Sequence, residues 1–135
     1  MIEFQNCTAL VVEDDVSGLA VISVMLRRLG IRTVMERYAS AVVDRAVRMP
    51  KVDVIFLDLG LPDGDGYEVL TALKSMPELE TIPVIAVTAR DASTEMVKTK
   101  EAGFDGFLGK PLNRNRFPDQ VRRILNGEGV WEVYR

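Results

Sequence analysis

The chain has 135 residues, 47% of them hydrophobic, and a formal net charge of −3, which fits one compact domain with its own core and leaves no room for a second. The acidic balance argues against direct nucleic-acid binding, the single cysteine (Cys7) excludes an intrachain disulfide, and the lack of histidine restricts any metal site to oxygen ligands. No Lys or Arg precedes Arg27 and no apolar run approaches about 18 residues, so neither a secretory signal nor membrane insertion is expected, and a cytoplasmic location is.

Residues 8–12 are a short apolar run ending on Glu13, Asp14 and Asp15, which reads as a first strand. Leu19, Ile22, Leu26 and Leu29 then recur at helical spacing, with Asp15 placed as N-cap and Gly30 closing the helix. Residues 31–36 make a weaker second strand. A second helix is expected over about 40–49, with Val43, Ala46 and Val47 inward and Pro50 as its stop.

Residues 52–57 carry five apolar side chains in six positions, the pattern of a strand buried on both faces. Asp58 stands where that strand ends. One Pro and three Gly follow between Gly60 and Gly66, so the chain turns and the carboxylate is left at the mouth of a loop. A third helix over about 66–75 has Val69, Leu70 and Leu73 as its inner face, and a fourth strand covers 84–87 with Thr88 just beyond. The fourth helix, about 93–102, has only a thin apolar stripe of Met96, Val97 and Ala102. Residues 106–108 form a fifth strand with Lys110 after it. The fifth helix starts near Asn115, because Pro118 costs little in a first turn, and packs through Val121, Ile124 and Leu125.

Alternating strands and helices with buried strands predict a doubly wound, flavodoxin-like α/β domain over 1–126, with a five-stranded parallel sheet in the order 2-1-3-4-5 and helices on both faces. Residues 127–135 form a tail. In that order the first and third strands are neighbours, and ligands bind beside their carboxyl ends. Glu13, Asp14 and Asp58 therefore converge. Two unit charges ~4 Å apart repel by about 4 kcal/mol at an effective dielectric of ~20, so three carboxylates invite a hard cation, and an open, hydrated loop suits Mg²⁺ better than Ca²⁺. Thr88 and Lys110 fall at the same edge. A carboxylate nucleophile, a divalent ion, a hydroxyl and an ammonium together suit acceptance of a phosphoryl group.

From Thr8 to about Asn126 the chain resembles the receiver domains of two-component response regulators. The resemblance rests on four motifs in order: Glu13–Asp14, the loop from Asp58 through Pro62 to Gly66, Thr88–Ala89 and Lys110–Pro111. It implies that Asp58 is the phosphoacceptor and that Asp14, Asp58 and the Gly60 carbonyl ligate Mg²⁺, with Glu13 acting through water. It also implies that Thr88 and Lys110 contact the phosphoryl oxygens, and that Phe107, where the family often has Tyr, is an aromatic switch coupled to Thr88. The expected partners are a sensor histidine kinase or histidine phosphotransfer protein, and a downstream target on the face of the fourth helix, fifth strand and fifth helix. No enzymatic activity is expected beyond the domain's own phosphotransfer and dephosphorylation. The chain ends soon after the fifth helix, as in stand-alone regulators.

Simpler readings exist for each residue singly. Asp58 could be a turn residue, Asp15 a helix cap, Lys110 a surface charge and Thr88 a β-branched strand residue. Gly64-Asp65-Gly66 is not a dinucleotide loop, because Val69 replaces its third glycine and two Asp side chains would repel a pyrophosphate. A phosphatase of the haloacid dehalogenase type would need a second Asp where Gly60 stands. The alternative kept is a protein-binding module that has the receiver fold without being phosphorylated.

The tail carries Val130, Trp131, Val133 and Tyr134 after a helix-ending Asn126-Gly127-Glu128-Gly129. Four large apolar residues predict burial, either against the domain itself or, as the alternative, against a partner or a second copy in a homodimer.

Overall fold

The computed structural model describes residues 3–133. Six strands, β1 (Thr8–Val12), β2 (Arg32–Glu36), β3 (Val54–Leu57), β4 (Val84–Thr88), β5 (Gly106–Gly109) and β6 (Val130–Glu132), lie in one sheet in the order β2-β1-β3-β4-β5-β6. Every pairing in it is parallel. Five helices, α1 (Val16–Arg28), α2 (Val42–Arg48), α3 (Gly66–Lys74), α4 (Ala92–Ala102) and α5 (Phe117–Leu125), connect them. A short antiparallel hairpin pairs Gly60–Leu61 with Gly64–Asp65.

The apolar runs read from the sequence are buried because both faces of the sheet are covered. All residues of β3, β4 and β5 are buried, and alternate side chains feed two cores. Val11 and Phe56 pack with Leu19, Ile22 and Leu26 of α1 and Val121 and Ile124 of α5. Leu10, Leu57 and Phe107 pack on the other side with Val42, Ala46, Val69, Leu70 and Leu73. Asp15 caps α1 as expected, its carboxylate accepting from Gly18 N at 2.9 Å.

Two helix faces differ from expectation. In α2 Val42 and Ala46 are buried and Val43 is half-buried against the same core as expected, but Val47 points outward at 40% exposure. In α4 Val97 and Ala102 are exposed, and the buried residue is Thr99, whose hydroxyl donates to the Met96 carbonyl at 3.0 Å. A polar residue is tolerated inside because its hydroxyl bonds back to the helix.

The tail folds back on its own domain and enlarges the expected five-stranded sheet to six. After Gly127, at φ 86, the chain turns and pairs Val130 with Gly106, Trp131 with Phe107 and Glu132 with Leu108. Val130 is fully buried. The β5 edge, the end of the sheet in the expected five-strand order, is thus covered by β6; a bare edge would present unpaired backbone groups. Tyr134 lies outside the described residues.

Candidate functional site

Strand register brings the predicted residues to one edge. Val12 pairs with Leu57, Leu57 with Ala86 and Thr88 with Gly109, so Glu13, Asp58, Thr88 and Lys110 all project at the carboxyl ends. Backbone bonds fix the exits: Glu13 N donates to Glu36 O at 3.0 Å, Asp58 N to Val12 O at 3.0 Å and Lys110 N to Thr88 O at 2.8 Å.

Glu13, Asp14 and Asp58 each offer a carboxylate oxygen, and the three oxygens lie within 4.8 Å of one another. The Lys110 ammonium closes the cluster, donating to Glu13 Oε1 and lying 3.5 Å from Asp58 Oδ2. Glu13 is buried against α1 and lies close over Gly18, where a Cβ would sit 2.6 Å from Glu13 Oε1. The other oxygen, Glu13 Oε2, is buried without a hydrogen-bond partner. Burial, and then the hydrogen bond with Asp58, push the Glu13 carboxyl up to about 7 against the pull of Lys110. Burial lowers Lys110, but its bond to Glu13 and the Asp58 charge outweigh that and raise it on balance. An orphaned buried oxygen among crowded carboxylates fits a hard divalent cation.

Asp58 Oδ1 accepts from Gly60 N at 3.2 Å, which anchors the carboxylate to its own loop. Asp58, Gly60, Thr88, Ala89, Arg90 and Lys110 line a cleft of about 340 Å³. Thr88 is buried, and its hydroxyl accepts from Arg90 N at 3.1 Å. Phe107 is not in the cleft: it is fully buried in the core, between Ala86 and Trp131 in register. Arg90 was missed from sequence. Its guanidinium reaches the Leu59 carbonyl at 3.4 Å, over the loop that follows Asp58, and its place two residues past Thr88 at a strand end was the available signal.

The fold and site define a doubly wound α/β domain with an acidic, lysine-closed cleft at its topological switch point. Residues 9–122 match the response regulator receiver domain, and the chain belongs to that family. It is 30% identical over 118 residues to the polar-differentiation response regulator DivK of Brucella anthropi, covering 87% of this chain and 95% of DivK. It is 29% identical over 123 residues to the signal transduction histidine-protein kinase BarA of Escherichia coli; the match covers 91% of this chain and only 13% of BarA. The receiver domain of the sensor histidine kinase PA1611 from Pseudomonas aeruginosa superposes with a TM-score of 0.80 at 29% identity, covering 89% of this chain and 98% of that one. Its structure has a magnesium ion coordinated in the active-site cleft. Among the described residues of the present chain, no helix is long and apolar enough to cross a membrane.

Proposed function

We propose that this domain is a Mg²⁺-dependent phosphoacceptor switch of a two-component phosphorelay, with Asp58 as the residue modified. The observation that carries the reading is the meeting of three carboxylate oxygens within 4.8 Å with the Lys110 ammonium 3.5 Å from Asp58, in a chain of the receiver family. The donor is a histidine kinase or a histidine phosphotransfer protein. An Asp58 oxygen forms a bond to phosphorus while the phosphorus–nitrogen bond of a phosphohistidine breaks, and the departing imidazole takes up a proton from solvent.

Asp14, Asp58 and the Gly60 carbonyl would hold the ion, with Glu13 reaching it through water. Bound there, Mg²⁺ supplies positive charge to the phosphoryl oxygens. Lys110 gives up its contact with Glu13 to neutralise one of those oxygens, and the Thr88 hydroxyl donates to another. Dephosphorylation is attack by water on phosphorus, returning the Asp58 carboxylate and inorganic phosphate, and no other enzymatic activity is assigned. Such a role belongs to the cytoplasm.

Donor docking is supported by the apolar surface beside the cleft. Val16 and Val21 of α1 are 65% and 51% exposed, and Val21, Ile22, Pro111 and Leu112 help to line a cavity of about 370 Å³ that reaches Asp58. Intact mass after incubation with acetyl phosphate tests the reading. One added phosphate in Mg²⁺ and none in EDTA is expected, and no uptake in Mg²⁺ contradicts it.

A further inference from the structure

The β5 strand is shaped to receive the tail. A Cβ at Gly109 would lie 2.6 Å from Val133 Cγ2, and one at Gly106 would lie 2.8 Å from the Val130 carbonyl oxygen. Bare backbone therefore stands at both ends of the stretch that the tail crosses, where Val130 and Val133 come closest. Beyond Val130 the hold is mostly polar. Glu132 accepts from Gln120 Nε2 at 2.9 Å and pairs with Arg123 at 2.9 Å, both on α5, while Lys100 of α4 lies 4.9 Å from the centroid of the half-buried Trp131 ring.

This closure is imperfect. Gln120 gives its amide nitrogen to Glu132 and is left with Oε1 buried and unpaired, which is costly in an apolar setting. A three-residue strand behind a glycine-containing linker can also open without disturbing the rest of the sheet, since β5 keeps its pairing to β4.

The sheet order then couples the tail to the acidic cleft. Asp58 lies on the β3 side of β5, and β6 lies on the opposite side. Gly109 is the register partner of Thr88, immediately precedes Lys110, and is the residue in close contact with Val133. Lys110 already leans to that side through Glu13 and Asp58; a phosphoryl group on Asp58 exchanges its Glu13 contact for a phosphoryl oxygen and gives the Thr88 hydroxyl an anionic partner there, which draws this end of β5 away from Val133. Resting on the phosphoacceptor reading above, we infer that β6 is a strap: it covers the β5 edge while Asp58 is unmodified and detaches when Asp58 is phosphorylated, exposing that edge and the adjoining faces of α4 and α5.

Trp131 is the only tryptophan, so it reports on the strap directly. The full chain is treated with acetyl phosphate and Mg²⁺, with Mg²⁺ alone as control, and phosphate uptake is counted by intact mass in the same sample. Phosphorylation should red-shift Trp131 emission, raise acrylamide quenching about twofold and speed amide exchange at Val130–Glu132 about tenfold, with none of these changes in Asp58→Asn. One phosphate bound with quenching and exchange unchanged overturns the proposal. Failure to take up phosphate overturns the acceptor reading and the coupling with it, and the strap is then judged by exchange alone. Glu132→Gln, which weakens the hold of Arg123, should accelerate exchange in β6 and leave β1 and β3 as they were. If β6 exchanges only in step with β3, it is not a separable strap.

Discussion

Lys110 and Glu13, 97 positions apart in sequence, meet across the carboxyl edge of the sheet, with the ammonium of one donating to Oε1 of the other. The pairing neutralises one of three crowded carboxylates and holds the lysine 3.5 Å from Asp58. It is also a contact that Lys110 must give up to serve a phosphoryl oxygen. In the unmodified protein, therefore, Glu13 holds the lysine in reserve beside Asp58.

Lys110→Ala should separate metal binding from phosphoryl transfer, because the ammonium arrives from β5 and coordinates no ion. Phosphate uptake from acetyl phosphate should slow by at least about tenfold, equivalent to ~1.4 kcal/mol of transition-state stabilisation, while Mg²⁺ affinity measured by calorimetry stays within a few-fold. Loss of the Mg²⁺ site in this variant would show that the lysine organises the carboxylates instead.

Glu13 should weaken the fold as pH rises. Its carboxyl, held up at about 7 in the folded state against an ordinary value of 4.5, keeps a proton that the unfolded chain has already released between those values. Stability contributed by this group is therefore present below about 4.5 and declines as pH rises toward about 7. Glu13→Gln should flatten that slope in thermal melts without metal, raise the melting temperature by a few degrees near neutral pH, and weaken Mg²⁺ binding about tenfold. An unchanged pH slope would contradict the assignment.

Phe56 and Phe117 carry the packing between β3 and α5. Their rings lie 6.0 Å apart between centroids at 42°, and both side chains are essentially inaccessible to solvent. Phe117→Ala should cost about 3–5 kcal/mol in urea unfolding, and a loss under ~1 kcal/mol would mean the core collapses around the gap.

Deleting residues 129–135 should lower stability by about 2–4 kcal/mol through the loss of buried Val130 and half-buried Trp131, with no change in the subunit count in solution. Sedimentation together with urea unfolding checks both. Dissociation of an oligomer with an unchanged unfolding curve would instead place the tail between copies.

Much of this architecture was legible because its strands are buried on both faces: the run at 52–57 and the alternation of strands and helices lead to a parallel sheet, and that sheet brings Glu13, Asp14, Asp58, Thr88 and Lys110 together. What stayed hidden depended on phase and on weak local signals. In α2 Val47 faces outward although its spacing suited the core, and the buried residue of α4 was a threonine satisfied by its own helix. The sixth strand is three residues long, too short to show a period; of the tail's apolar residues Val130 is buried and Trp131 half-buried as expected, whereas Val133 is 36% exposed. Arg90 reaches the loop after Asp58 through a long side chain, which strand-end counting did not include.

The most direct test of the central claim is where the phosphate goes. After reaction with acetyl phosphate in Mg²⁺, borohydride trapping and peptide mass mapping should place a single modification on Asp58, and Asp58→Asn should take up none while remaining folded. A phosphate retained in folded Asp58→Asn, or mapped to another residue of the wild-type protein, would contradict the account.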